Sequence, residues 1–316
     1  MPELPEVETV RRGLQPRLRG RIVARADIRD GRLTAPVDPR EVSMELDGER
    51  FSDIGRRGKY LLFGLETGRT LVSHLRMTGW FHHRPPGGDD PPLTHVRALF
   101  DLDDGSSLLY RDQRRFGTMR LLEPGQLEEY LRLRAGPEPL SEEWTATRFG
   151  ADLRGRKAPI KALLLHQGIV AGVGNIYADE ALWEARIHPL RLGGNLTAAQ
   201  VRGLHAAVVA ALERGIESHG ASIRDYRGVD GERGGMQERF AVYGRTGEPC
   251  FRCGTPIQKI RVAQRGTHLC PRCTRRPSGS RHGSPPPAST SPSSSTRSRV
   301  ALPRRPRRRP DASSAR

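Results

Sequence analysis

Apolar residues recur every three or four positions at the start of the chain, at Val7, Val10, Leu14 and Leu18, with Arg and Glu between them. That period predicts an amphipathic helix. From Arg21 to about Leu122 the texture changes to short apolar or alternating runs broken by Gly, Asp and Pro, as in Tyr60-Leu61-Leu62-Phe63, Thr70-Leu71-Val72-Ser73, Ala98-Leu99-Phe100 and Ser107-Leu108-Leu109-Tyr110. Strands at this pitch predict a β-sandwich. Residues 84–92, with Pro85-Pro86-Gly87-Gly88, read as a loop, and residues 136–149, with Pro137 and Pro139, as a linker. Beyond it the period is helical again, with a short apolar run Ile160–Leu165 and a helix from Ile176 to Ala185. Thr197 and Gln200 form a capping box that opens a longer helix through Val201, Leu204, Val208, Val209 and Leu212. Gly220 to Gly235 is Gly-rich and polar, with no evident element. The expected class is α+β: an N-terminal helix and β-sandwich, then a helical domain.

From about Thr274 onward the chain is Ser, Pro and Arg with almost no apolar residue. Such a segment buries too little surface to offset the entropy of ordering it, so residues 275–316 are expected to be a disordered basic tail. The remaining ~275 residues suggest about two domains. Net charge is +17, from 53 basic and 36 acidic residues; the nine Arg and one Asp between Pro277 and Arg316 hold +8, which leaves +9 on the body. A basic body favours a polyanionic partner, most often nucleic acid. Charge by itself specifies no chemistry. No apolar h-region follows Met1 and no long apolar run occurs, so neither a signal peptide nor a membrane span is expected, and the expected compartment is the reducing cytoplasm.

Two features carry chemistry. The first is Cys250-Phe-Arg-Cys253 and Cys270-Pro-Arg-Cys273, separated by sixteen residues. This spacing suits four thiolates around one tetrahedral Zn²⁺ with no open position, a structural ion; two disulfides are the alternative. Lys259, Arg261, Arg265 and His268 lie between the pairs, so the stapled hairpin is basic. The second is Pro2, followed by Glu3 and Glu6. Once Met1 is removed, the chain begins with a secondary amine of pKa near ~8, partly neutral and nucleophilic at physiological pH. An amine that attacks a sugar C1′ can displace the base and leave an iminium. Pro2 is also suited simply to begin a helix.

The opening Pro2-Glu3-Leu4-Pro5-Glu6-Val7-Glu8-Thr9 resembles the signature of formamidopyrimidine-DNA glycosylases. The likeness continues through Arg57-Gly58-Lys59-Tyr60, His74-Leu75-Arg76-Met77-Thr78-Gly79, Asp112-Gln113-Arg114-Arg115-Phe116-Gly117, Gly172-Val173-Gly174-Asn175-Ile176-Tyr177 and Tyr243-Gly244-Arg245, in the family's order. It implies a catalytic sandwich at 2–135, a linker at 136–149, a helix–two-turn–helix domain at 150–219, a lesion-recognition loop at 220–236 and a β-hairpin zinc finger at 240–274.

The resemblance also implies roles. Pro2 would be the Schiff-base nucleophile, Glu3 the proton donor to the sugar ring oxygen, Lys59 a proton donor in elimination, and Arg265 a phosphate ligand assisting δ-elimination. Met77, Arg114 and Phe116 would fill the gap left by a flipped base, with Arg114 pairing the widowed cytosine. His95, Lys157 and Asn175 would contact the DNA backbone, with Gly172 and Gly174 letting a phosphate approach. The implied partner is double-stranded DNA carrying oxidised bases or abasic sites, and the expected protein is a monomeric glycosylase and lyase for oxidised purines. A sister endonuclease VIII type acting on pyrimidines, a non-catalytic damage reader and a zinc-ribbon RNA-binding protein are the competing readings; Leu4 with Met77, Arg114 and Phe116 favours the purine enzyme. Two departures stand out: His219-Gly220-Ala221 replaces the family's Gly-Gly-Thr, and Met236 follows Gly235 where an aromatic residue is usual.

Overall fold

The computed structural model describes residues 1–88, 94–223 and 226–275. The expected tail, apart from its first residue, lies outside the described residues, as does part of the expected 84–92 loop. Helix α1 (Leu4–Leu18) comes first. Its Val7, Val10, Leu14 and Leu18 are wholly buried, as their spacing predicts.

Eight strands follow: β1 (Val23–Ile28), β2 (Phe51–Arg57), β3 (Tyr60–Leu65), β4 (Thr70–His74), β5 (Gly79–Arg84), β6 (Val96–Leu102), β7 (Ser107–Asp112) and β8 (Thr118–Leu122). They form two four-stranded sheets, ordered β1-β6-β7-β5 and β2-β3-β4-β8, with every neighbouring pair antiparallel. Their inward faces share one core with α1, in which Phe81 stacks between Phe63 (5.2 Å) and Tyr110 (5.0 Å). Short helices α2 (Gly31–Thr34) and α3 (Pro39–Leu46) interrupt the region read as strands alone, and α4 (Leu127–Arg132) follows it. Asp30 and Asp38 cap α2 and α3 by accepting from Arg32 and Arg40 N–H. The β-strand texture hid them because each is only one or two turns long.

The second core gathers α5 (Ala146–Leu153), α6 (Ile160–Leu165), α7 (Asn175–Glu184) and α8 (Ala198–Glu217). The capping box at Thr197 and Gln200 is present. The stretch read as a linker is docked rather than free. Trp144 is only 2 % exposed, Gly136 N–H donates to Gln167 O, and Pro137 O accepts from Ala171 N–H. One large aromatic outweighs the Pro-rich texture around it. A third, small cluster joins Trp183 of α7 to the cysteines and to Ile257, just before the hairpin β9 (Gln258–Val262) and β10 (Arg265–Leu269).

Three residues cross between the first two cores. Leu4 of α1 belongs to the helical core, whereas Tyr226 and Val229, from the polar segment after α8, belong to the sandwich core. His83 N–H donates to Val229 O at 3.0 Å. Among the described residues no helix is long and apolar enough to cross a membrane.

Phe81→Ala removes the ring at the centre of the sandwich and should cost about 3–5 kcal/mol. Urea denaturation of the two proteins measures this; a loss below ~1 kcal/mol would show that the ring's packing contributes little to stability.

Candidate active site

A cleft of about 1000 Å³ opens where the N-terminus, the sandwich, the helical core and the hairpin meet. Pro2, Glu3, Lys59, Met77, Arg114, Asn175 and Arg265 all line it, although they come from widely separated parts of the chain. Phe116, His95 and Lys157 do not. Phe116 is half-exposed beside the cleft, with the Arg114 guanidinium 4.7 Å from its ring centroid. His95 is exposed ahead of β6 and Lys157 is exposed between α5 and α6.

The chain enters this cleft by burying its own start. Pro2 is buried, and Glu3 N–H donates to the Glu6 carboxylate at 2.8 Å. The Glu3 carboxylate reaches across to the start of α7, accepting from Ile176 N–H (2.9 Å) and Tyr177 N–H (3.4 Å). A helix N-terminus presents unpaired N–H groups and partial positive charge, so a carboxylate there is well placed. The glycines before α7 make room for the start of the chain. A Cβ on Gly174 would lie 2.2 Å from Glu3 Cδ, and one on Gly172 would lie 2.6 Å from Leu4 Cβ.

Burial is the largest influence on Glu3 and raises its pKa to about 7, with the nearby Glu6 adding to the rise and Lys59 and the α7 N–H groups opposing it. Glu6, fully enclosed, is also pushed up by burial. It accepts from Tyr177 Oη (2.7 Å) and Ala221 N–H (2.8 Å) besides Glu3 N–H. Lys59 is 5 % exposed, its Nζ donates to Val173 O at 2.9 Å, and burial pushes its pKa down. Two acids held toward neutrality face an amine held toward deprotonation. Of these, Glu3 lies where a carboxyl can act as an acid near neutral pH. In the chain as encoded, Pro2 nitrogen is a tertiary amide; removal of Met1 makes it a secondary amine.

Sequence reasoning missed several residues here. Gln167 bridges the glycine turn, accepting from Gly172 N–H (3.0 Å) and donating to Val173 O (2.9 Å). His74 lines the cleft as a neutral imidazole, its pKa lowered to about 3 mainly by burial. Lys161 and Asp179 form a wholly buried ion pair at 2.6 Å. Lys161 Nζ also donates to Thr267 Oγ1 (2.7 Å) and Gly266 O (3.2 Å), while Asp179 accepts from His268 N–H (2.8 Å). Asn175 Nδ2 donates to the same Gly266 O at 3.0 Å. This network sets the hairpin, and hence Arg265, over the start of α7. Neither charge stands out from its apolar helical surroundings in sequence.

The two departures have clear places. Ala221 meets Glu6 through backbone N–H, which needs no side chain, and Met236 is 1 % exposed in the helical core. The hydroxyl of Ser222 accepts from Gly234 N–H (2.9 Å) and donates to Tyr226 O (2.9 Å), closing the base of the loop.

The four cysteine Sγ atoms lie within 4.8 Å of one another. Measured pairs are 3.5–3.9 Å, close to the ~3.8 Å separation of thiolates around a tetrahedral ion with ~2.3 Å bonds. Trp183 Nε1 donates to Cys250 Sγ at 3.4 Å, an outer contact of the kind that orients a ligand. The residues fit zinc.

Comparison with known proteins agrees with this geometry. Three family models match: the formamidopyrimidine-DNA glycosylase N-terminal domain over residues 1–119, its H2TH domain over 135–227, and the zinc finger found in FPG and IleRS over 247–276. The formamidopyrimidine-DNA glycosylase of Symbiobacterium thermophilum is 50% identical over 280 residues, covering 88% of this chain and 91% of its own. The chain belongs to the formamidopyrimidine-DNA glycosylase family. The Chloroflexus aggregans member is 49% identical over 276 residues, 86% of this chain and 98% of its own. Among solved structures, a Lactococcus lactis FPG mutant bound to Fapy-dG-containing DNA superposes with a TM-score of 0.81 at 40% identity, covering 87% of this chain and all of that one. The Lactococcus lactis complex with abasic-site DNA gives 0.80 at the same identity and coverage. As a family member the chain is a DNA glycosylase of base-excision repair.

The burial of Glu3 has a signed consequence for stability. Below pH 4.5 the group is protonated both folded and unfolded; between 4.5 and about 7 only the unfolded chain ionises. The folded state therefore loses stability as pH rises through that window. Glu3→Gln should flatten this decline, so its unfolding free energy relative to the native protein should rise from pH 4.5 to 7; a constant difference would place the Glu3 pKa near its ordinary value.

Proposed function

We propose that the mature chain excises oxidised purines, 8-oxoguanine and formamidopyrimidines, from duplex DNA and then cleaves the strand at the resulting site. The observation that carries this reading is a Glu3 carboxyl with a pKa of about 7 directly after Pro2, inside a cleft that also holds the buried Lys59. The Pro2 amine attacks C1′ of the lesion nucleotide; the glycosidic bond breaks and its electron pair leaves with the base. Protonated Glu3 donates to the ring oxygen as the sugar opens to the iminium. The iminium acidifies the C2′ proton, whose loss expels the 3′ phosphate, and a second elimination expels the 5′ phosphate, leaving a one-nucleotide gap. Lys59 moves protons in these eliminations and Arg265, exposed at the hairpin, binds the departing phosphate.

The base must leave the helix before any of this. Met77 and Phe116 fill the void and Arg114 pairs the widowed cytosine. Asn175, Lys157 and His95 hold the backbone. Cys250, Cys253, Cys270 and Cys273 hold one structural Zn²⁺, which fixes the hairpin bearing Arg265.

A second reading, excision of oxidised pyrimidines, has a specific observation behind it. The wild-type Lactococcus lactis FPG is also solved with DNA containing an oxidised pyrimidine, with a TM-score of 0.80 to this chain.

Borohydride trapping on a duplex with 8-oxoguanine opposite cytosine should give a covalent adduct mapping to Pro2; Pro2→Gly should strongly reduce strand cleavage, and a retained Met1 should abolish it. An adduct only on an oxidised-pyrimidine duplex would move the substrate class; tight binding with no adduct on either would indicate a damage reader. Base release should pass through a maximum between about 7 and ~8, rising as the Pro2 amine loses its proton and falling as Glu3 loses its own. A rate that keeps rising above pH 8 would remove Glu3 as the acid. Treatment with a strong chelator should unfold the hairpin and weaken DNA binding; unchanged affinity would count against the structural ion.

A further inference from the structure

The three side chains proposed to fill the base gap sit on two turns, Met77 between β4 and β5, Arg114 and Phe116 between β7 and β8. Asp112 stitches these turns together. Its Oδ1 accepts from Thr78 Oγ1 (2.5 Å) and Arg114 N–H (3.1 Å), and its Oδ2 accepts from Gly117 N–H (2.7 Å). Between Arg114 and Phe116 lies Arg115, with a φ of 58°. A non-glycine residue is held in this left-handed region only when its surroundings over-determine it.

What holds Arg115 is Asp30, some way back in the chain just before α2. Arg115 Nε donates to Asp30 Oδ2 at 2.6 Å and Nη2 to Oδ1 at 2.8 Å, a forked pair that fixes orientation as well as distance. Asp30 is 4 % exposed and its pKa is held down chiefly by the Arg115 guanidinium. Arg97 completes the clamp: its Nε is 3.9 Å from Asp30 Oδ2 and donates to Asp112 O at 2.9 Å. The turn is therefore gripped from below at Asp112 and at Asp30, while Arg114 and Phe116, on either side of Arg115, remain exposed.

We propose that Asp30, acting through Arg115, is the positioning residue of the gap-filling turn and thereby sets recognition of the base opposite the lesion. This rests on the gap-filling role given above to Arg114 and Phe116. Side chains that enter a void in a stacked duplex must arrive already oriented, because ordering them on binding would cost affinity. Asp30 is buried beneath the turn and does not line the cleft, so its loss should affect only steps that require a filled gap.

Single-stranded DNA with an abasic site separates the two, since it has no opposite base and no gap. Asp30→Asn retains a side chain that can cap α2 but removes the charge facing Arg115, and Arg115→Lys retains charge but loses the fork. Each should lower kcat/KM on the 8-oxoguanine duplex about tenfold, shrink the preference for cytosine over adenine opposite the lesion, and leave cleavage of the single-stranded abasic substrate unchanged. The double variant should be no worse than either single, as expected for residues acting as one unit. Additive losses, duplex activity equal to wild type, or parallel loss of both activities with a lowered Tm would each overturn the proposal. A wild-type protein that cleaves neither substrate would instead refute the catalytic reading on which it rests.

Discussion

The seating of the Glu3 carboxylate on the first N–H groups of α7 is the contact on which the rest depends. It joins the first residues of the chain to the helical core and places Pro2 in the cleft. It also forces the approach of α1 that only glycine at 172 and 174 can accommodate. Burial around that contact removes Glu3 from water and raises its pKa to about 7, against the pull of the α7 N–H groups. Architecture and reactivity come from one desolvated group.

Around it, buried charges act as joints between elements. Glu6 gathers Glu3, Tyr177 and Ala221; Asp179 and Lys161 gather α6, α7 and the hairpin; Glu180 accepts three successive N–H groups at Ala241, Val242 and Tyr243. Removing one member of such a set leaves the others buried and unpaired, so these joints are costly to break even where their net contribution to stability is small. They confer definite geometry on a cleft whose walls come from separate cores.

The loop after α8 shows the same logic in apolar terms. Tyr226 and Val229 leave the helical part of the chain and insert into the sandwich core. The segment is therefore anchored at its middle, and Ser222 closes its base. Loss of the family's threonine at position 221 does not remove the contact to Glu6, because backbone supplies it.

Much of this was legible in the residues alone. The period of Val7, Val10, Leu14 and Leu18, the strand runs, the capping box at Thr197 and the paired cysteines are local patterns, and local patterns obey the short-range rules of helix, strand and metal geometry. The ordered motifs likewise indicated the family and its candidate residues. Sequence could not reveal which side of a motif faces what. That Gly174 makes room for Glu3, that Trp144 pins the supposed linker, that Lys161 finds Asp179 and that Arg115 reaches back to Asp30 are consequences of long-range packing. So is the pKa of Glu3: the sequence specifies a carboxyl group, but only the closing of two cores around it decides how much water it keeps.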